Sequence, residues 1–447
     1  SERSWQLSAG SELRRDRHGS GWRSLRATLC CLQLFVTAGC GTSGRLADPG
    51  ITPDSAQGQI QRFLDNRISR LKAGDVEGYL AGLEPQAEAV ERPFATGALS
   101  VPLEGLTLTL DKGSIRGGAD AFRGVRVDLG YRYAGLPEDN AFRVGFDYDM
   151  VPVGDGWRVT TSTVRAGSSQ PVWATGPIET QRSEHFLALH RPALSDPSRI
   201  MDEAEQARSQ LDGKITFPLE NSYLLVIAKD EAEYASMSSA TLGPVSAIAQ
   251  VETSYEVTPD SIKVLSRQMV INDRKLHEDG AALETFRHEL GHLGVAQYTR
   301  PFTPAWVSES AAMYLAGTRP TSIWRQGLRQ GKFDGITIDR LTQASNLGEH
   351  GSSKEGASLE YAYSAAAAWY LVESFGPEKY WEFYRSYATV PPAELYELLP
   401  ERTSSPQSEQ AIEALAVAKT GASLQGMFGL NTAALDTGVR DWMSKQL

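Results

Sequence analysis

Residues 286–292 read Phe286-Arg287-His288-Glu289-Leu290-Gly291-His292, an H-E-x-x-H pattern in a stretch whose apolar residues recur at helical spacing. An α-helix turns once in about 3.6 residues, so two histidines four apart stand one above the other on one face. They form a two-point clamp for a cation. Neutral imidazole nitrogens suit Zn²⁺, and the neighbouring Glu289 is a candidate general base towards water. A catalytic zinc takes three protein ligands and keeps one position open. The chain must therefore hold this helix rigidly and bring a third donor to it.

Downstream runs Thr303-Pro304-Ala305-Trp306-Val307-Ser308-Glu309-Ser310-Ala311-Ala312-Met313-Tyr314. Thr303 reads as an N-cap with Pro304 at the first helical position, which places Glu309 about one and a half turns into a second helix. Helix, short turn, helix can bring a carboxylate back onto the His288/His292 face. The two segments together resemble the gluzincin metallopeptidases, in which H-E-x-x-H is followed by a glutamate ligand on the next helix in a W-x-x-E-G-x-A-x-Y-x-A setting. Here Ser310 stands in the place of the usual glycine, and sixteen residues separate His292 from Glu309. The resemblance implies one Zn²⁺ per chain held by His288, His292 and Glu309, with Glu289 as base. It also implies a mostly helical, thermolysin-like domain with a small β-sheet over residues 183–447, whose edge strand lines the cleft.

Ahead of that domain, residues 1–26 are rich in arginine and are followed by a short apolar run from Ala27 to Ala38. A basic segment before a short hydrophobic one is a secretion signal, and a dozen residues are too few to span a bilayer. The run ends in Val36-Thr37-Ala38-Gly39-Cys40-Gly41, which resembles a bacterial lipobox. Cys40 would then carry diacylglycerol; ordinary cleavage nearby would leave it free. The expectation is an exported protein, anchored on the outer face of the cell membrane or secreted. All three cysteines, Cys30, Cys31 and Cys40, lie here, so no disulfide staples the body and no cysteine can ligate its metal. Residues 41–54, rich in Gly, Thr, Ser, Asp and Pro, read as a flexible tether.

From about Ser55 a helical period runs through Ile60, Phe63, Leu64, Ile68 and Leu71 and closes at Gly74; a short second helix follows near Val76 to Leu83. Strands are expected over Leu106–Leu110, Phe122–Tyr133, Phe142–Met150 and Trp157–Val164, with Asp155-Gly156 as a hairpin signal. Helices followed by an antiparallel meander resemble the cystatin-like or SnoaL-like cone over residues 55–170. No residues there are convincingly placed for chemistry, and an accessory or spacing role follows. Residues 171–182 read as a linker.

Phe186–Leu189 and Ser222–Ala228 read as strands flanking a helix from Pro197 to Leu211, with further strands near Ala247–Val251 and Lys263–Asn272. The overall class is α+β. Beyond Glu309, a span rich in Gly and Ser leads to a helix opening near Tyr361, with Ala365–Ala368 inside an amphipathic pattern. In gluzincins a tyrosine at the start of such a helix faces the tetrahedral intermediate. Tyr361 fits that position better than Tyr363, unless both are packing aromatics. His185, His190 and His277 fall outside any ligand spacing, and nothing compels His350 towards the cleft. The remainder reads as helices broken at Pro391-Pro392 and at residues 403–408.

A formal charge of −11 argues against nucleic acid as a partner. The expected activity is hydrolysis of peptide bonds in a peptide or protein substrate. No G-x-M-E-N-like segment is present, which favours endopeptidase over aminopeptidase action. The alternatives are a surface-anchored binding scaffold that keeps the peptidase fold with little turnover, and peptidoglycan or ester hydrolysis at the same metal.

Overall fold

The computed structural model describes residues 53–115, 121–166, 168, 170–212, 219–237, 249–278, 280, 282–343, 347, 354–398 and 406–446. The signal segment, Cys40, most of the tether and His350 lie outside them. The fold is mixed α+β. No helix among the described residues is long and apolar enough to cross a membrane.

The N-terminal layer consists of helices α1 (Pro53–Lys72), α2 (Val76–Leu80) and α3 (Pro85–Ala98) on an antiparallel sheet of β1 (Leu103–Leu110), β2 (Phe122–Tyr133), β3 (Phe142–Val153) and β4 (Gly156–Val164), in the order β1-β2-β3-β4. Alternating burial along β2 puts Val125, Val127, Leu129 and Tyr131 against Ile60, Leu64 and Phe94 of the helices. The hairpin between β3 and β4 turns one residue earlier than expected. Val153 pairs with Gly156, and Gly154 takes the left-handed backbone (φ 57°) that the tight turn needs. Inside this layer Arg67 and Glu91 form a buried ion pair at 2.6 Å, and the Tyr79 hydroxyl donates to the same carboxylate oxygen at 2.8 Å.

The expected linker is packed structure. Trp173 is buried and stands edge-on to Tyr131 at 5.3 Å and to Phe94 at 6.1 Å. Strand β5 (Glu179–Arg182) follows at once and pairs with β6 (Phe186–His190). Helix α4 (Pro197–Leu211), capped by the Asp196 side chain, crosses to β7 (Tyr223–Ala228), parallel to β6. After α5 (Glu231–Met237) come β8 (Ala249–Val257) and β9 (Ile262–Asn272), giving the sheet order β5-β6-β7-β9-β8 with β8 at the edge.

Every residue of β7 is buried, because both faces of this sheet are covered. Leu225 and Ile227 face a core built with α4 and the helices beyond, whereas Leu224, Val226 and Ala228, with Leu187, Leu189 and Val270, enter the core of the N-terminal layer. Bonds from the Asn140 side chain to the backbone of β9 reinforce this union. Buried Asn140 donates to the Arg267 carbonyl at 3.1 Å and accepts from the Arg267 amide at 2.8 Å. The N-terminal layer thus covers one face of the second sheet.

Helices α6 (Asp273–Glu278), α7 (Ala282–Val295), α8 (Ala305–Ala316), α9 (Thr321–Arg329), α10 (Ile338–Gln343), α11 (Lys354–Phe375), α12 (Pro377–Ser386), α13 (Pro392–Leu398), α14 (Pro406–Phe428) and α15 (Thr432–Lys445) complete the second part. Ala365, Ala366, Ala367 and Ala368 are all fully buried, so α11 is a central core helix at this point and is not amphipathic there.

Candidate metal centre

Helix α7 turns Phe286, Leu290 and Leu293 into the core at spacings of four and three, which leaves His288 and His292 together on another face. Gly291 lets α8 approach that helix. A Cβ at this position would lie 3.1 Å from the Ala312 Cα and 3.3 Å from the Leu315 side chain. The close crossing brings Glu309, in the second turn of α8, back to the two histidines. Thr303 does not cap α8; its hydroxyl accepts from the Arg300 amide, and Pro304 takes the N-cap position with no side-chain bond.

Three donor atoms converge. His288 Nε2 and His292 Nε2 are 3.2 Å apart, and Glu309 Oε2 lies 3.1 Å from the first and 3.4 Å from the second. That oxygen is sealed from solvent and makes no hydrogen bond of good geometry. Among the described residues, His288, His292 and Glu309 form the cluster of histidine and acidic donors able to hold a metal ion. Burial works to raise the Glu309 carboxyl, but the fields and contacts of His292 and His288 more than reverse this and hold it well below the usual carboxylate range.

Glu289 is buried beside this triangle. Burial pushes its carboxyl up to about 7, against the pull of His288 and with help from the negative charge of Glu309. A carboxyl poised there can both take and return a proton near neutral pH. Tyr361 lies two turns inside α11 and does not open that helix, yet it faces the cluster. The charge of Glu309, then burial, then the charge of Glu289 keep its hydroxyl protonated well into alkaline pH, as a donor. Tyr363 points the other way, fully buried, with its hydroxyl donating to Asp436 at 2.7 Å. The two tyrosines thus have different surroundings, Tyr361 near the acidic pair and Tyr363 in the core.

Ser310 also points away. Its hydroxyl donates to the Val307 carbonyl and pairs with the Tyr380 hydroxyl, each at 2.9 Å, inside the core. Ser310 therefore belongs to the packing behind α8 and makes no contact with the three donors. His185 is engaged by Glu205 at 2.7 Å, His277 by Asp273 at 2.8 Å and Glu203 at 3.0 Å, and His190 by the Arg191 carbonyl at 3.0 Å.

Two groups at the site had no sequence signal. The Ser308 hydroxyl lies 3.2 Å from His292 Nδ1, on the side of the ring away from the donor triangle. Buried Tyr384 of α12 lies close by and pairs with the Thr299 hydroxyl at 2.7 Å. Comparison with known proteins adds nothing to this geometry: no protein-family model matches the chain, and no curated protein matches its sequence.

Proposed function

We propose that the chain is an exported, zinc-dependent metallopeptidase of the gluzincin kind, with His288, His292 and Glu309 as metal ligands and Glu289 as general base. The observation that carries this reading is the donor triangle, with sides of 3.1, 3.2 and 3.4 Å. Tetrahedral ligands at about 2.0–2.1 Å from a zinc ion lie roughly 3.3–3.4 Å apart, so three such atoms already stand where one small cation would gather them. The donor set of two imidazoles and a carboxylate suits zinc, and the sealed, unbonded Glu309 oxygen is costly without a cation to satisfy it.

Bound there, zinc would supply Lewis-acid polarisation of a carbonyl and acidify a coordinated water. The chain's own residues do the rest. Glu289, near neutral in its proton affinity, accepts a proton from the attacking water and returns it to the leaving amine. Tyr361, held protonated, donates to the developing oxyanion. Strand β8, last in the sheet order, is proposed as the edge along which a peptide substrate lies.

The layer of residues 55–170 is proposed as a cystatin-like cone and the rest as a thermolysin-like domain, fused here through a common core. Export and an acyl anchor on Cys40 remain part of the same reading, on the strength of the signal-like sequence. Elemental analysis of protein purified without chelator tests it: one zinc per chain is expected, lost in His292→Ala and kept in Glu289→Gln. Metal-free wild type, produced with zinc available, would overturn it.

A further inference from the structure

The first half of β9 lacks a strand neighbour that its second half has. Strand β7 pairs with β9 only from Met269 to Asn272, whereas β8 pairs with β9 from Ile262 to Ile271. Over residues 253–267, β8 and β9 therefore run on past β7 as a two-stranded ribbon. Such a ribbon is at best marginally stable in water by itself. Yet Val251 and Val257 of β8 pack against the core that carries α7 and α8, so the course of this ribbon shapes what lies beside the metal helices.

The loop between β2 and β3 takes the missing place. Its last residue, Ala141, donates its amide to the Leu265 carbonyl of β9. The residue before, Asn140, is only 1% exposed; its Nδ2 donates to the Arg267 carbonyl at 3.1 Å and its Oδ1 accepts from the Arg267 amide at 2.8 Å. One side chain thus supplies the donor and the acceptor that a neighbouring strand would have offered. A turn fixes it in place, with the Asn140 amide donating to the Pro137 carbonyl at 2.9 Å. The Arg267 guanidinium, itself buried, binds Asp139 of the same loop at 3.1 Å and Glu220, ahead of β7, at 2.8 Å. On β8, Glu256 is paired with Arg143 of β3 at 2.8 Å.

We propose that the β2–β3 loop braces the β8–β9 ribbon and that Asn140 is a positioning residue for peptide binding, acting through β9 on the edge strand β8. The proposal rests on the reading of β8 as the edge along which substrate lies. Main-chain pairing with an extended peptide needs an edge strand already in place. Substrate then binds only the fraction of molecules whose ribbon is ordered, so a weaker brace raises KM and leaves kcat, which is set at the metal, as it was. The N-terminal layer serves the cleft in this way without touching substrate.

Backbone hydrogen exchange of the full chain, read by mass spectrometry, tests the brace without any substrate. In Asn140→Ala, which loses two buried hydrogen bonds, residues 253–257 and 262–267 should exchange roughly 5- to 100-fold faster, while β6, α7 and α8 keep their rates. Arg143→Glu, at a more exposed site, should speed residues 253–257 by roughly 2- to 5-fold, and Glu256→Arg added to it should restore them. In parallel, KM for a peptide that wild type cleaves should rise roughly 3- to 10-fold in Asn140→Ala, with kcat and bound zinc kept within about twofold. Unchanged exchange of the ribbon in Asn140→Ala, or equal acceleration throughout the chain, overturns the proposal. Should that variant fail to fold, Arg143→Glu decides: no acceleration, or acceleration that Glu256→Arg does not reverse, overturns it. Faster exchange with unchanged KM overturns the positioning role. A wild type that cleaves no peptide while the ribbon responds as expected overturns the peptidase reading and leaves the brace standing.

Discussion

Gly291 of α7 lies directly against Ala312 of α8: a Cβ on the glycine would stand 3.1 Å from the Ala312 Cα. Because that neighbour is backbone, any side chain here must push the two helices apart, and His292 and Glu309 move apart with them. Gly291→Ala gains about 1 kcal/mol of helix propensity against roughly 1–3 kcal/mol of overpacking, so its net stability change should be small. Gly291→Val has no such offset and should lower the melting temperature clearly. Both variants should weaken zinc binding in isothermal titration, Val more than Ala. Unchanged affinity in Gly291→Val would show that the crossing does not set the donor spacing.

The raised carboxyl of Glu289 makes a pH prediction for the metal-free protein. Its folded value, about 7, lies above the ordinary value of 4.5 expected on unfolding. The folded state therefore holds the proton more tightly, and stability is lost as pH rises from 4.5 through 7. Glu289→Gln carries no such loss. Its stability relative to wild type should increase between pH 5 and pH 8, by at most on the order of 3 kcal/mol. Denaturant titrations of both proteins at several pH values measure this, and parallel curves would contradict the assignment.

Tyr361 and Tyr363 should behave oppositely. Tyr361→Phe removes a donor that faces Glu309 and Glu289. Its kcat should fall by roughly 10²–10³ with KM and zinc content little changed. Tyr363→Phe breaks a core bond to Asp436 and should cost about 1 kcal/mol of stability while sparing kcat. Steady-state kinetics beside thermal melts separates the two.

Much of the fold could be read from the chain. Alternation from Val125 onward made β2 legible, Phe122 to Tyr133, and an Ala- and Glu-rich composition made α4 legible from Pro197 to Leu211. Helix α3 escaped notice because Pro93 and Gly97 interrupt its helical pattern. At the site, His288, Glu289 and His292 are legible since their spacing is local. Ser308 meets His292, and Tyr384 meets Thr299, only after the helices have packed, and neither carries a motif. The run from Ser222 to Ala228 reads as a strand, but nothing in it says that the N-terminal layer covers one of its faces.

That shared wall has a direct consequence. A fragment starting at residue 183 exposes Leu187, Leu189, Leu224, Val226 and Val270. Each such side chain contributes roughly 1.5–3 kcal/mol by burial, and together they rival the about 5–15 kcal/mol total stability of a typical domain. The fragment should be insoluble or molten by near-ultraviolet circular dichroism. A soluble fragment with a native-like spectrum and a cooperative melt would refute the common core.

The central claim is that this site hydrolyses peptide bonds with Glu289 as its base. The decisive measurement is digestion of a broad peptide library by zinc-loaded wild type and zinc-loaded Glu289→Gln side by side, with cleavage read by mass spectrometry. Positioned general-base catalysis is worth roughly 10²–10⁴ in rate, so wild type should cleave and the variant should retain zinc, fold and peptide binding while losing at least that factor. A zinc-replete wild type that cleaves nothing across the library, or a Glu289→Gln variant that cleaves as fast as wild type, contradicts the account.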